Sequence, residues 1–250
     1  MIPNVPHSKP AFAKANGIEI CYDTFGDPNA PPLLLIHGHG AQMIAWEEDF
    51  CAQLAARGYW VIRYDNRDVG LSTKFDQAGV PDVSTLMQAV MQGQAIQAPY
   101  KLSDMADDAA GLLDALGIES AHVLGLSMGG MIAQTLAIRH AKRVRTLTFI
   151  MSTTGDPGLP PPQPAALSVF LAPPPPDRAA AIEAGVRSGR AHRGPKFPFD
   201  EARARQRAAQ AYDRSHYPAG KARQMAAVVA SGSLKDALQS VTIPTLVIHG

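Results

Sequence analysis

The stretch AHVLGLSMGGMIAQTLAIRH, residues 121–140, places a serine between two glycines where one hydrophobic pattern gives way to another. Residues 121–126 form a short apolar run that predicts a buried strand, and residues 128–140 repeat apolar side chains at helical spacing. The pattern Gly-x-Ser-x-Gly, residues 125–129, therefore lies at a predicted strand-to-helix turn. In that context the pattern indicates a nucleophile, and it singles out Ser127.

The glycines around Ser127 have a steric explanation. Such a turn forces the serine backbone into strained angles, and a side chain at Gly125 or Gly129 would collide with the neighbouring helix or strand. The hydroxyl is then held at the N-terminus of a helix, where the helix dipole favours developing negative charge. The alternative is that Ser127 is an ordinary helix cap, with glycines present for close packing.

Composition narrows the class of protein. The chain has 250 residues, of which 46% are hydrophobic and 18% charged, which is enough for one well-buried domain. A net charge of +1 gives no electrostatic reason to expect nucleic acid or a membrane surface as a partner. The two cysteines, Cys21 and Cys51, suit a reducing compartment, and the first residues lack the apolar run of a signal peptide. We expect a cytoplasmic protein without a cofactor or metal ion.

The remaining pattern alternates between strands and helices. Residues 17–26 predict part of an antiparallel hairpin at a sheet edge. Buried strands are then predicted at residues 32–38, 59–65, 121–126 and 145–151, and helices at residues 45–58, 103–117 and 131–140. This alternation predicts an α/β fold with an open, mostly parallel sheet, in which ligands bind beyond the carboxyl ends of the strands.

The alternation stops after Met151. Residues 157–176 include nine prolines, which indicate a stiff boundary between two packing units or, alternatively, an SH3-type ligand. Three helical stretches and a final buried-strand pattern follow, at residues 177–189, 199–217, 221–232 and 241–250. The predicted organisation is an N-terminal core, a helical cap and a return to the core, at residues 1–152, 153–235 and 236–250.

Four motifs carry a resemblance to a known family. They are HGHG at 37–40, DNRDVGLS at 65–72, GLSMGG at 125–130 and IPTLVIHG at 243–250. Together they resemble the α/β-hydrolase superfamily and, within it, the small serine esterases that include the aclacinomycin methylesterases. The resemblance implies the α/β-hydrolase fold, with a helical cap inserted after the strand that ends near Met151, and carboxylic-ester hydrolase activity.

The resemblance also implies roles for residues. Ser127 would be the catalytic nucleophile, and the backbone N–H groups of His39 and Met128 would form the oxyanion hole. The side chains of His37 and His39 are interpreted as parts of a polar turn. The set formed by Asp65, Arg67 and Gly70 would shape a turn below the active site and take no part in catalysis.

The proton acceptor for Ser127 is missing from the expected place. The family order is serine, acid, histidine, which puts the acid and the histidine beyond Gly250. None of the eight histidines follows a terminal strand. The four that come after Ser127 in the chain are His140, His192, His216 and His249. We therefore expect the natural protein to continue past Gly250, with a pseudoenzyme as the alternative. Asp156 is either a substitute acid or a turn residue before Pro157.

The predicted function is cleavage of carboxylic esters of small to medium uncharged substrates through an acyl-enzyme on Ser127. Lactonase, perhydrolase or acyltransferase activity remain alternatives, as does a non-catalytic small-molecule binder. A scaffold acting through the proline-rich cap ranks last. Five methionines either border the site or fill the core: Met43, Met87, Met91, Met128 and Met131.

Overall fold

The structure of the chain is a computed structural model. It describes residues 3–160, 163–194 and 196–249, and within these ranges the side chains of Val90, Met91 and Phe170 are left undescribed. Over the described ranges, none of the helices combines the length and apolar character needed to cross a bilayer. Two of the three prolines at 160–162, Pro161 and Pro162, lie outside the described residues.

The chain alternates strands and helices in its first part and is helical in its second. The strands are β1 (Ala11–Ala15), β2 (Ile18–Phe25), β3 (Pro32–Ile36), β4 (Trp60–Tyr64), β5 (Ala121–Leu126), β6 (Val144–Ile150) and β7 (Thr245–Ile248). The helices are α1 (Glu48–Ala55), α2 (Val83–Met91), α3 (Leu102–Ala115), α4 (Met128–Arg139), α5 (Pro164–Phe170), α6 (Arg178–His192), α7 (Glu201–Arg214), α8 (Pro218–Ser231) and α9 (Lys235–Leu238).

The strands form one sheet in the order β1-β2-β4-β3-β5-β6-β7. The hairpin β1–β2 is antiparallel, and β2 pairs with β4 in antiparallel register. The other five strands, in the order β4, β3, β5, β6 and β7, are parallel to one another. The carboxyl ends of the parallel strands therefore all lie at the same end of the sheet. The loops that follow Ile36, Tyr64 and Leu126 meet there, which confirms the predicted α/β fold.

The sheet is covered on both faces because neighbouring strand residues point in opposite directions. Leu33 and Leu35 pack with α1 side chains such as Cys51, in one buried cluster. Leu34 and Ile36 pack in a larger cluster that includes side chains of α3 and α4. The unbroken apolar run of β3 thus fills two separate layers, as expected for a strand inside a parallel sheet.

Helix α3 shows how the sequence pattern sets packing. The sequence pattern puts Met105, Ala109, Leu112, Leu113 and Leu116 on one face. The first four are fully buried, and Leu116, which follows the last helical residue, is half-buried. The helix ends where Gly117 takes a φ of 67°, a left-handed conformation that glycine adopts without steric penalty. This helix anchors the larger core layer beneath β5 and α4.

The helices α5–α8, which we call the cap, lie between β6 and β7 in the chain. Helix α7 has no buried side chain among those described, whereas α8 buries five successive residues, from Arg223 to Ala227. The four prolines at 173–176 form the non-helical link between α5 and α6. Of the cap helices, α8 is therefore the one most deeply packed against the core.

Three features of the fold differ from the sequence prediction. The final strand was predicted as buried, but Leu246, Val247 and Ile248 are 55%, 56% and 46% exposed. Among the described strands β7 pairs with β6, and its side chains are exposed on both faces of the sheet. The connection after β4 contains helix α2, and residues before the predicted hairpin form β1. Both elements are short, so their apolar patterns cover too few residues to stand out.

Candidate active site

Ser127 lies between the end of β5 and the start of α4 in a strained conformation. Its φ is 56° and its ψ is −122°, outside the regions that a non-glycine residue adopts freely. The backbone is held there because the Ser127 N–H donates to the carbonyl of Ile150, on the neighbouring strand, at 2.9 Å. The sharp turn predicted from the sequence is present at this residue.

The glycines flanking Ser127 permit close backbone contacts. A Cβ atom added to Gly129 would lie 2.1 Å from the carbonyl oxygen of Ile36, and one added to Gly125 would lie 2.2 Å from the carbonyl oxygen of Gly129. Both distances are far below van der Waals contact, and both involve backbone atoms that cannot move aside. Glycine is therefore required at both positions for the turn to form.

The Ser127 side chain does not act as a helix cap. Ser127 is half-buried and precedes the first residue of α4, but its hydroxyl makes no capping hydrogen bond to the helix. The Met128 N–H, the first of α4, has no acceptor within the helix, whereas the Gly130 and Met131 N–H groups donate to the Ser127 carbonyl. The hydroxyl and the Met128 amide thus lie together at the positive end of the helix dipole.

The loop at residues 37–40 approaches Ser127 from the end of β3. A Cβ atom added to Gly38 would lie 3.0 Å from the Ser127 Cβ and 3.5 Å from its Oγ. The turn closes with a hydrogen bond from the Ala41 N–H to the Gly38 carbonyl at 3.2 Å. The structure therefore brings the His37–Gly40 loop and Ser127 together, as the strand order requires.

The two histidines of this loop are neutral and are engaged with nearby groups. His37 Nδ1 accepts the Gly38 N–H at 2.7 Å, and His39 Nε2 donates to the Lys221 carbonyl at 2.8 Å. Burial lowers the pKa of His37 and of His39 to about 4, because desolvation penalises the charged imidazolium. Both rings thus stay uncharged at neutral pH, beside a hydroxyl that would develop negative charge.

The Asp65–Ser72 motif lies beneath this loop. The Asp65 carboxylate accepts the N–H groups of Met43 (2.7 Å) and Leu71 (2.8 Å). A Cβ atom added to Gly70 would lie 2.1 Å from that carboxylate, so glycine is needed there. Arg67 forms a buried ion pair with Asp108, with an N–O distance of 2.6 Å. These contacts are those of a turn that supports the loop.

Comparison with known proteins now decides the family. A family model described as the alpha/beta hydrolase fold matches residues 31–250, which is most of the chain. The chain belongs to the α/β-hydrolase family. The resemblance drawn from the four sequence motifs is thereby confirmed at the level of the superfamily.

Individual relatives of this α/β-hydrolase match a smaller part of it. Rhodomycin D methylesterase DauP of Streptomyces sp. (strain C5) is 37% identical over 131 residues, covering 52% of this chain and 38% of that protein. Rhodomycin D methylesterase DnrP of Streptomyces peucetius is 36% identical over the same length and covers the same shares. The matched segment thus spans 38% of the length of each methylesterase.

A solved structure matches nearly the whole fold. The crystal structure of a hydrolase from Pseudomonas aeruginosa PA01 aligns with a TM-score of 0.64 and 25% identity. The alignment covers 97% of this chain and 80% of the Pseudomonas protein. The sheet and the helices around it, including the cap region, therefore have counterparts in a known α/β-hydrolase.

Several histidines of this α/β-hydrolase lie away from Ser127. His140 follows α4, whose 12 residues span about 18 Å, and its Nε2 lies 2.7 Å from the Asp107 carboxylate. His122 hydrogen-bonds to the Thr146 hydroxyl at 2.8 Å. Each of the two side chains therefore bonds to a residue of a neighbouring helix or strand.

The cap histidines and the last histidine are exposed. His192 contacts the Ser188 carbonyl at 2.9 Å, within its own helix, and His216 stacks on Tyr212. His249 follows β7, which is separated from β5 by β6. That none of the three occupies a triad position stays a prediction.

Asp156 has the contacts of a turn residue. Its carboxylate lies 2.6 Å from Lys235 Nζ and accepts the Gly158 N–H at 3.0 Å. Lys235, and then the Gly158 amide, hold the pKa of this carboxyl below its usual range. These contacts suit the second of the two sequence interpretations, a turn residue before Pro157.

The methionines near Ser127 belong to the core. Met43, Met128 and Met131 are 0%, 3% and 5% exposed, and the latter two pack in the larger buried cluster. Met87 is half-buried, and the side chain of Met91 lies outside the described residues. A surface cavity of about 450 Å³ is lined by residues 78–81 and 97–99, away from Ser127. The described methionines therefore fill the core more than they line a pocket.

Other candidate chemistry is absent from the described ranges. No group of three or more His, Cys, Asp or Glu side chains in those ranges is arranged to hold a metal ion. Cys21 and Cys51 are free and buried, and burial raises the pKa of the Cys21 thiol to about 11. That thiol is therefore protonated and a poor nucleophile at neutral pH.

Two residues that sequence analysis did not single out contact the site. Ser152 donates its hydroxyl to the Ser127 carbonyl at 2.8 Å. Gln224, in α8, accepts the Gly40 N–H at 2.8 Å across 184 residues of sequence. A single glutamine in a helical pattern carries no local signal of such a contact, and a serine after a strand carries none either.

Proposed function

We propose that the protein is a serine hydrolase that cleaves carboxylic esters through an acyl-enzyme on Ser127. The observation that carries the proposal is the strained backbone of Ser127, at φ 56° and ψ −122°, together with a hydroxyl that makes no capping bond. Strain of this kind persists only where the surrounding structure enforces it, and it is concentrated at functional sites. An ordinary helix-capping serine has neither property.

The geometry supports a specific sequence of steps. The Ser127 oxygen would attack the ester carbonyl carbon, and the carbonyl oxygen would gain negative charge. The N–H groups of Met128 and His39 would donate to that oxygen. Met128 directly follows the serine, and His39 follows Gly38, whose added Cβ would lie 3.5 Å from the Ser127 Oγ. Removing one such donor reduces kcat by about 10² to 10³-fold. The alcohol would leave with a proton, and water would then release the acid from Ser127.

The reaction needs a general base beside the Ser127 hydroxyl. A serine hydroxyl is a weak nucleophile until a neighbouring group accepts its proton. The contacts of His37, His39 and His140 direct a ring nitrogen of each to another partner. Within this chain, Ser127 would therefore be the nucleophile, and the N–H groups of Met128 and His39 would be the oxyanion donors.

The proposed substrate is a small to medium uncharged ester. The two methylesterases that match half of this chain act on a methyl ester, by their names, which supports an ester over other acyl compounds. The neutral histidines beside Ser127 add no charge that would select an ionic substrate. We propose a small-molecule partner of this class, no nucleic-acid or membrane partner, and a cytoplasmic location.

The test compares the unaltered protein with Ser127→Ala. The unaltered protein should hydrolyse p-nitrophenyl butyrate and become covalently labelled by a fluorophosphonate, and the variant should do neither. Ser168→Ala is the control, because Ser168 is exposed and bonds only within its own helix. Undiminished turnover by Ser127→Ala would refute the assignment. Ligand-induced thermal stabilisation without turnover or labelling would favour a non-catalytic binder.

A further inference from the structure

Helix α8 of the cap lies directly against the loop that follows β3. A Cβ atom added to Gly220 would lie 1.9 Å from the Asp68 carbonyl, so the first turn of the helix touches the core backbone. A Cβ atom added to Gly40 would lie 3.0 Å from Lys221 Cγ. The loop that is proposed to supply an oxyanion donor is thus enclosed by the cap as well as by the sheet.

Gln224 links this loop to a second one through a fully buried side chain. Its Oε1 accepts the Gly40 N–H at 2.8 Å, and its Nε2 donates to the Arg67 carbonyl at 2.8 Å. The side chain is 0% exposed. Because one partner is a donor and the other an acceptor, only one orientation of the amide satisfies both. The glutamine therefore fixes two backbone groups at once.

The Gly40 N–H is the central amide of the turn from Gly38 to Ala41. Gly40 has a φ of 66° at the third position of this turn, and His39 before it does not have a positive φ, which together indicate a type II turn. In such a turn the central peptide unit can rotate towards the alternative type I form. The hydrogen bond from Gly40 to Gln224 opposes that rotation.

A second contact from α8 holds His39, the residue before Gly40. His39 Nε2 donates to the Lys221 carbonyl at 2.8 Å. The His39 side chain and the peptide unit after it are therefore both attached to one helix. The His39 N–H belongs to the peptide unit just before these two attachments, so its position depends on that helix through the His39 Cα atom.

We propose that Gln224 is a positioning residue, which holds the Gly38–Ala41 turn from the cap side and so keeps the His39 N–H in place beside Ser127. This inference rests on the proposed function. It adds that the cap takes part in building the oxyanion hole. A displacement of about 1 Å in such a site can reduce the rate by about 10²-fold, so the hold on the turn matters for the reaction.

The test is the kinetic behaviour of Gln224→Leu in the whole chain. The variant loses both hydrogen bonds of the side chain and leaves Ser127 unchanged. We expect kcat for p-nitrophenyl butyrate to fall on the order of 10-fold to 100-fold, with KM within about threefold of the unaltered value. The rate of fluorophosphonate labelling should fall by the same factor as kcat, since that reagent also develops negative charge on oxygen.

Ser231→Ala is the matched control in the same helix. Ser231 is partly buried and bonds to Leu102 and Ala227, at the end of α8 away from the loop. It should lower the thermal midpoint while kcat stays within about twofold. If Gln224→Leu keeps kcat within twofold, or loses no more activity than Ser231→Ala, the inference is wrong.

A second variant decides the matter if Gln224→Leu does not fold. His39→Ala removes the side-chain contact to Lys221 from the half-buried loop and retains the backbone N–H. We expect kcat to fall with KM nearly unchanged, and an unaltered kcat would overturn the inference. A fully active Ser127→Ala variant would instead refute the proposed function, so the two failures are distinguishable.

Discussion

The hydroxyl of Ser152 donates to the backbone carbonyl of Ser127 across 2.8 Å, joining the segment after β6 to the turn after β5. The same carbonyl accepts the Gly130 N–H at 2.9 Å. Gly130 lies so close to Ser152 that an added Cβ would be 2.5 Å from the serine side chain. The strained residue is thus held from the neighbouring strand as well as from its own helix.

Replacing Ser152 with alanine should loosen this hold. The Ser152→Ala variant loses the part-buried hydrogen bond to the Ser127 carbonyl and a weak one, at 3.4 Å, from the Gln134 amide, so we expect the free energy of unfolding to fall by about 1 kcal/mol. Because the lost bond restrains Ser127, kcat should fall as well, while KM changes little. Urea unfolding and p-nitrophenyl butyrate kinetics measure the two effects. Equal kcat in Ser152→Ala and in the exposed control Ser168→Ala would show that the bond serves stability alone.

Gly129→Ala should be strongly destabilising. The added Cβ would lie 2.1 Å from the carbonyl oxygen of Ile36, where both groups are backbone in the core of the sheet. We expect a loss of about 3 kcal/mol or more in the free energy of unfolding, the upper end for an overpacked core. Gly194→Ala is the comparison, since its Cβ would meet only Phe197 at 3.6 Å. Similar urea midpoints for the two variants would contradict the close packing described.

Gly38→Ala should reduce activity more than stability. Its Cβ would lie 3.0 Å from the Ser127 Cβ and 3.1 Å from the Leu126 carbonyl, so the serine must shift by a few tenths of an ångström. We expect kcat to fall on the order of tenfold or more, because the nucleophile moves relative to its oxyanion donors. The control is Gly158→Ala, whose Cβ would make an ordinary 3.4 Å contact with Asp156. A kcat for Gly38→Ala that matches this control would be the contrary result.

Arg223→Met should destabilise the junction between the cap and the core. Arg223 and Asp68 form an ion pair at 2.8 Å, and their side chains are 1% and 0% exposed. Removing the arginine leaves a buried carboxylate without its partner, which reduces the free energy of unfolding by about 3 to 5 kcal/mol. Arg178→Met, which breaks an exposed pair with Asp213, should have a much smaller effect. Calorimetric midpoints compare the two variants, and equal losses would mean that burial of the Arg223 pair does not matter.

Stability should fall as the pH drops from about 6.5 to 4. Burial lowers the pKa of His37 and His39 from 6.5 to about 4, so between these values the unfolded chain binds protons that the folded chain does not. Their contribution is complete above pH 6.5 and is lost as the pH falls through this window. His37→Asn keeps an acceptor for the Gly38 N–H but cannot titrate. Thermal midpoints should therefore fall less steeply for this variant, and an identical slope would contradict the shift at His37.

Much of the fold could be predicted from local patterns. Five apolar residues from Met105 to Leu116 repeat at helical spacing, and the structure fully buries all but Leu116, which is half-buried just after α3 ends. The turn at Ser127 could also be predicted, because Gly125 and Gly129 lie where a strand pattern gives way to a helix pattern, which indicates a sharp turn between the two. These predictions hold because the information lies within a few residues of each position.

The rest depends on partners distant in the chain. The apolar run of β7 indicates a buried strand, yet burial depends on what covers the two faces of the sheet, and in the described part of the chain both faces of β7 are exposed. Gln224 looks like one polar residue of an alanine-rich helix until its contacts with Gly40 and Arg67 are seen. A helical pattern gives the face of a residue but not what that face meets.

The pairing of β6 with β7 has a consequence for how the chain folds and how it can vary. Ile150 pairs with Ile248, so about a hundred residues, including the whole cap, form the loop between two adjacent strands. Pairing at such long range slows folding, because the ends must meet before the contact stabilises anything. The equilibrium penalty grows slowly with length, at about 0.6 kcal/mol for each doubling of the loop. Insertions and deletions in the outer helices of the cap should therefore change folding rates more than stability, so the length of this excursion can vary without loss of the sheet.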